Sequence, residues 1–319
     1  MIKSYTLKNT RVENIELDRI NSKTMTLVHC FNPGPEEKEQ IIKLLKITKE
    51  EFNEYIEDLK EDARPRIEHE QNFIFMLYKA PWYENKEEIL TTPVAFFIKD
   101  NMLLILHDDP VKTITKIMGA IENKKASFLF KKGVGFMLYK FLDSINDEFL
   151  LITDKISDTS DLLKEKATKE LTEKNIERID DMNTTLIYFN RAILGNGEVI
   201  TFLKKGYFRP FKKYDKELFH DLYIDVIQLI DTLKIQREVI HSFFNFQNAI
   251  ASQRLNEFMK RVTVLALLIM VPTFISGLYG MNFKYIPLQN HPFGFFITII
   301  LMLVILVFLI IFLRRNKWL

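Results

Sequence analysis

Residues 262–282 read VTVLALLIMVPTFISGLYGMN and residues 293–313 read FGFFITIILMLVILVFLIIFL. The first stretch opens with 18 consecutive uncharged residues, 262–279, and the second has only Gly294 and Thr298 outside its apolar set. At 1.5 Å of helix per residue, each matches a hydrocarbon layer of roughly 30 Å. The pattern predicts two transmembrane helices, 262–282 and 293–313, joined by an outer loop at 283–292.

Charge is distributed unevenly around these spans. The 319-residue chain carries 44 basic and 42 acidic residues, yet no Asp or Glu follows Glu257 in the last 62 positions. A carboxylate cage inside the membrane is thereby excluded, and an ion recognised there must meet amides, hydroxyls, carbonyls or sulfur. Lys260 and Arg261 precede the first span, Arg314, Arg315 and Lys317 follow the second, and the loop holds only Lys284 and His291. The positive-inside bias places both termini and the basic tail 314–319 in the cytoplasm, with the chain as a multi-pass protein of the cell (inner) membrane. The single cysteine, Cys30, cannot form an internal disulfide, and the first thirty residues lack a signal-peptide core. Most of the chain is expected inside the cell.

Upstream of the first span no glycine occurs between 215 and Gly277 and no proline before Pro272. One helix can therefore run about 65 residues, on the order of 100 Å, as a stalk over 214–261 continuous with the span. Proline within a lipid-embedded helix is tolerated as a kink. Steps of three and four along this helix pick out Asn245, Ala249, Ser252, Asn256, Met259, Thr263, Ala266, Met270, Thr273, Gly277 and Gly280. A coiled coil would place Leu, Ile or Val on such a seam. Small and polar residues there admit two readings, close helix packing or several helices surrounding water.

The opening segment, 1–125, reads as an α/β domain. Residues 25–31, 72–80, 93–98 and 102–107 are apolar runs of strand length, and 36–59 has helical spacing. Asp108, Asp109 and Pro110 resemble a cap opening a helix near 110. Long helices take over from 128, and 126–213 reads as a helical hairpin turning near the basic stretch KKGYFRPFKK at 204–213. Twelve acidic residues against six basic ones lie between Asp143 and Asp181, either as solvated helix faces or with an electrostatic role. The fold class is thus an α+β membrane protein.

No enzyme site is evident. His29, His69, His107, His220, His241 and His291 are scattered, no two have metal-ligand spacing, and no phosphate loop or nucleophile motif occurs. Nor does anything point to nucleic acid. A two-span membrane-anchored sensor or scaffold without transport is the alternative of a different class.

Tyr279-Gly280-Met281-Asn282 stands at the mouth of the first span, followed by a ten-residue loop, a second span and the basic end RRNKWL. This resembles the CorA family of magnesium and cobalt transport proteins, whose mark is a Gly-Met-Asn motif after the first of two C-terminal spans. The resemblance covers essentially the whole chain. It implies a homopentameric funnel whose first helices line a pore for Mg2+, possibly also Co2+, driven by membrane potential. Gly280, Met281 and Asn282 would form the selectivity motif, with Asn282 meeting the hydrated ion. Asn245, Asn256, Met259, Met270, Thr273 and Gly277 match the family's pore positions, and Met259 and Met270 are candidate gates. Closure by intracellular Mg2+ between neighbouring domains would fall to Asp58 and Asp221. Two departures stand out. The outer loop FKYIPLQNHP is basic where relatives often carry Met-Pro-Glu-Leu, and Asn245 replaces an aspartate of some relatives. Zinc-transporting relatives in the wider superfamily make zinc the alternative cargo.

Overall fold

A computed structural model describes residues 1–319 except 9–10, 61–62, 85–87, 168–172, 206–209, 283, 289, 317 and 319. The chain divides into two compact units, Met1–His241 and Ser242–Leu319.

The first unit is built on a seven-stranded sheet in the order β2-β1-β3-β7-β6-β5-β4. Its strands are β1 (Ile2–Lys8), β2 (Arg11–Asn14), β3 (Thr26–Phe31), β4 (Arg66–His69), β5 (Ile74–Tyr83), β6 (Ile89–Lys99) and β7 (Met102–His107). Among the described residues only β3 and β7 pair in parallel, with Thr26 opposite Met102 and Phe31 opposite His107. The other neighbours are antiparallel. The four runs predicted from apolarity become β3, β5, β6 and β7, all central. The strands β1, β2 and β4 lack such runs because they carry exposed or half-exposed positions that admit charge, β2 and β4 being the two edges of the sheet.

Alternation along the central strands divides the core between two faces. Phe75, Leu77, Ala95, Phe97, Leu104 and Leu106 point to one side, where helices α1 (Pro35–Leu45) and α2 (Lys49–Lys60) supply Ile41, Leu45, Phe52, Tyr55 and Leu59. Burial of each large apolar side chain contributes about 1.5–3 kcal/mol. The helical spacing over 36–59 is interrupted: Lys46 takes the left-handed conformation at φ 62°, and Thr48 opens a second helix. Thr48 N–H donates to Glu51 Oε2 at 2.7 Å while Glu51 N–H donates to Thr48 Oγ1 at 3.2 Å, a reciprocal cap.

The opposite face is covered by helices. The helix expected near 110 is α3 (Lys112–Glu122), which starts later than its cap signal indicated. Val111 is the N-cap, without a side-chain bond, and Asp109 Oδ2 instead accepts from Thr92 Oγ1 at 2.6 Å. Next come α4 (Ser127–Lys132), α5 (Val134–Ala167) and α6 (Glu173–Lys205). Phe149 and Phe189 fix α5 against α6 edge to face, with centroids 4.7 Å apart. The basic stretch 204–213 joins α6 to α7 (Asp215–Tyr279), and its residues 206–209 lie outside the described residues. Within the first unit α7 buries Phe219, Leu222, Val226, Leu229, Leu233 and Ile240, a stripe at spacings of three, four and seven.

The second unit holds the remainder of α7 and α8 (Gly294–Arg315), both long and apolar enough to cross a membrane. Val264, Leu267, Leu268, Val271, Pro272 and Ile275 form a partly shielded stripe of α7, in which Val264 is buried, as do Thr298, Met302, Leu306, Leu309 and Leu313 on α8, in which Leu313 is buried.

Candidate functional site

All eleven members of the α7 seam are exposed: Asn245, Ala249, Ser252, Asn256, Met259, Thr263, Ala266, Met270, Thr273, Gly277 and Gly280. The shielded stripe lies elsewhere on the helix, so one chain leaves the seam uncovered from end to end. Thr263 Oγ1 donates to Met259 O and Thr273 Oγ1 to Ile269 O, each at 2.8 Å. With their protons returned to the helix, these hydroxyls present oxygen lone pairs outward. Pro272 has no N–H for the carbonyl of Leu268, a local weakening inside the apolar segment. At Gly277 an added Cβ would meet nothing within 4 Å.

Beyond Tyr279 the backbone tightens. Gly280 N–H donates to Ser276 O at 3.0 Å and Met281 N–H to Leu278 O at 3.3 Å. Gly133 is the only glycine with positive φ among the described residues, so Gly280 serves this turn without a left-handed conformation. Met281 and Asn282 are exposed where the helix stops. The loop that follows includes Phe283 and Gln289, which lie outside the described residues, as do Lys317 and Leu319 of the basic tail. Lys284 and Tyr285 are exposed, with the ammonium 6.0 Å from the ring centroid.

Asp58 and Asp221 differ in their surroundings. Asp58, on α2, forms an ion pair with Arg66 Nη2, and Arg66 Nε also reaches Glu68 Oε1 at 2.6 Å. The hydrogen bond that Arg66 donates to Asp58 pushes the Arg66 pKa above its usual range. Asp221 is exposed on α7, close to acidic residues that sequence reading did not single out. Burial raises the Asp225 pKa, and the charges of Asp143, Asp147 and Asp221 raise it further. Asp147 is likewise raised, by burial and then by Asp143. The dense acidic run from Asp143 was visible in the sequence, but its pairing with α7 was not. Among the described residues no group of three or more His, Cys, Asp or Glu within the one chain is placed to hold a metal.

Two of the scattered histidines do meet. His29 and His107 lie on neighbouring parallel strands, with their Nε2 atoms 2.9 Å apart. His107 Nδ1 lies 2.7 Å from Asp109 O, so Nδ1 donates there and His107 Nε2 accepts from His29. Burial lowers both pKa values, that of His29 to about 3, and the pair is neutral at physiological pH.

A mixed-sheet domain, one helix of 65 residues whose final part is apolar, and a second apolar helix beyond a short loop together define a class: two-span membrane proteins with a stalk. A profile of the CorA-like Mg2+ transporter protein family matches residues 22–315. The Cobalt/magnesium transport protein CorA of Methanocaldococcus jannaschii is 33% identical over 313 residues, covering 98% of this chain and 97% of that one. The protein of the same name from Thermotoga maritima is 28% identical over 264 residues, covering 80% and 73%. The complete structure of the CorA magnesium transporter from M. jannaschii superposes with a TM-score of 0.90 at 30% identity, over 100% of this chain and 99% of that one. The chain belongs to the CorA family.

Proposed function

We propose that the chain carries Mg2+, and Co2+ as a second cargo, across the membrane through a channel formed by five copies. One observation carries this reading: a small and polar seam, exposed in the single chain, that runs along α7 to Gly280, Met281 and Asn282. In a pentamer five such seams face one another and enclose water. Mg2+ gives up its water reluctantly, and a ring of Asn282 amide oxygens accepts hydrogen bonds from the waters it keeps. Asn245, Asn256 and Thr273 offer further oxygens along the path. Met259 and Met270, 51% and 58% exposed, put flexible apolar side chains on the seam and act as constrictions that pass a hydrated ion only when they widen or wet. Gly277 keeps the path open between them and the motif.

Both termini face the cytoplasm, and the inside-negative potential drives entry without a pump. The domains read from the sequence, a stalk over 214–261 leading into a span at 262–282, put the first unit on that side. Closure follows when intracellular Mg2+ joins carboxylates of adjacent copies. Asp221 suits this role, because it is exposed beside Asp143, Asp147 and Asp225, whose mutual repulsion a dication relieves. The fit of Asp58 is poorer while Arg66 holds it, so Mg2+ there has to displace the guanidinium. In either case a second copy supplies ligands. Zinc as cargo is the competing reading.

The test is transport by purified protein in liposomes loaded with a magnesium-sensitive dye. A potassium-diffusion potential, negative inside, is expected to drive Mg2+ inward, and zinc under the same potential is expected to pass more slowly. Magnesium flux equal to that of empty liposomes contradicts the proposal, and faster zinc flux favours the competing cargo.

A further inference from the structure

The two spans gather charge at one end. Lys260 and Arg261 stand just before the apolar part of α7, and Arg314 and Arg315 close α8. A short loop joins the spans at their other ends, so these four residues meet the same face of a bilayer. From Arg261 to Tyr279 and from Gly294 to Arg314 the helices rise about 27 and about 30 Å, close to the hydrocarbon thickness, which puts the cations at headgroup depth.

All four are exposed, and none forms an ion pair among the described residues. No Asp or Glu follows Glu257, so the spans, the loop and the tail hold no carboxylate that could neutralise them. Glu257 itself accepts a hydrogen bond from Gln253 Nε2 at 3.2 Å. Helix polarity accounts for Arg314 and Arg315, which sit in the last turn of α8. It does not account for Lys260 and Arg261, which lie in the interior of the 65-residue α7. Beyond α8 the chain turns back, with Asn316 N–H donating to Phe312 O at 3.1 Å and Trp318 N–H to Leu313 O at 2.9 Å. This keeps Trp318, 44% exposed, within a turn of the two arginines, and an indole ring suits the headgroup level.

We propose that this end of the two spans binds anionic phospholipid. The phosphodiester meets Lys260, Arg261, Arg314 and Arg315, whose two guanidinium forks on α8 match its oxygens. Exposed Val262 and Leu265 on α7, and Ile311 and Phe312 on α8, continue the site with apolar surface for acyl chains, which a free phosphate lacks. None of these residues is on the α7 seam, so the inference rests on the two spans and not on the ion path.

Trp318 serves as the reporter. The chain has two tryptophans, and Trp82→Phe leaves Trp318 alone. The full chain carrying this change is reconstituted in equal mixtures of phosphatidylglycerol and phosphatidylcholine, with brominated acyl chains on one lipid or the other. Brominated phosphatidylglycerol is expected to quench Trp318 at least about twofold more strongly, and salt is expected to weaken the preference. Arg314→Gln with Arg315→Gln, and separately Lys260→Gln with Arg261→Gln, are each expected to reduce the preference, whereas Arg314→Lys with Arg315→Lys keeps most of it. Thermal melts of the variants establish that they fold. Equal quenching by the two lipids, or a preference that both glutamine pairs leave intact, overturns the assignment. Loss of the preference in inorganic phosphate but not in chloride of equal ionic strength would show a site for free phosphate and overturn the lipid as ligand.

Discussion

An exposed asparagine amide is a weak partner for a bare dication and a good one for its water shell, so in the proposed channel Asn282 selects by hydration rather than by charge. The only nearby formal charge on the loop is that of Lys284, and in a pentamer five copies repel an incoming dication. At a Debye length of about 8 Å in physiological salt this repulsion reaches the entrance and fades beyond it. Lys284→Glu is therefore expected to raise Mg2+ influx, most strongly at low ionic strength, without changing the order of preference among divalent ions. Flux measured against salt concentration checks this, and an unchanged rate would mean that Lys284 points away from the path. The histidine pair makes a second prediction for single residues. Because the folded-state pKa values of His29 and His107 lie below their ordinary value near 6.5, the unfolded chain binds protons that the folded chain refuses. Their contribution is present above that value and is lost as pH falls from there toward 3, by at most about 1.4 kcal/mol per pH unit for each group. The thermal midpoint of the full chain is expected to fall between pH 7 and pH 5, and His107→Gln is expected to flatten the fall. An identical slope in the variant would contradict the pairing.

Helices and strands depend on close contacts that can be tested one glycine at a time. At Gly135, at the start of α5, a Cβ would lie 2.2 Å from Asp215 Oδ2, and Asp215 is 1% exposed and already bound to Lys212 N–H. Gly135→Ala is expected to destabilise the chain by about 1–3 kcal/mol through overpacking. Gly277→Ala meets no atom of its own chain and gains about 0.5–1 kcal/mol of helix propensity, so melting of the dissociated chain should not suffer while flux through the narrowed seam should fall. Thermal melts and flux assays on the two variants separate these effects. The long helix was legible in the sequence because no glycine or proline occurs between 215 and Pro272, and the two membrane-length runs, one on α7 and one on α8, need no tertiary context. Tertiary context decided what was missed. The break at Lys46 depends on one left-handed residue, and the Thr48–Glu51 cap was present but obscured by apolar spacing that continued across it. Asp109 was read as a cap because its sequence neighbours allow it, whereas the Thr92 hydroxyl that engages it comes from a strand 17 residues away. Likewise, the meeting of His29 with His107, 78 residues apart, follows from one parallel strand pair that local pattern cannot reveal.

At the scale of the whole molecule, the proposed channel and its regulator need several copies, because one chain leaves the seam exposed and, among the described residues, brings Asp58 and Asp221 no metal partner set. If Mg2+ favours the closed assembly through Asp58 and Asp221, replacing both with Asn removes the differential affinity that shifts the equilibrium. Protease digestion is expected to show Mg2+ protecting the wild type and protecting the double variant clearly less; equal protection would remove both residues from the regulatory site. The driving force is large once the path opens, because each dication gains roughly 4.6 kcal/mol per 100 mV of inside-negative potential, twice the value for a single charge. The most direct measurement compares wild type and Asn282→Ala in liposomes under the same potassium-diffusion potential, with the amount of reconstituted pentamer matched. The wild type is expected to carry Mg2+ inward and the variant to lose most of that flux. Equal flux from the two proteins would contradict the assignment of Asn282 as the group that receives the hydrated ion.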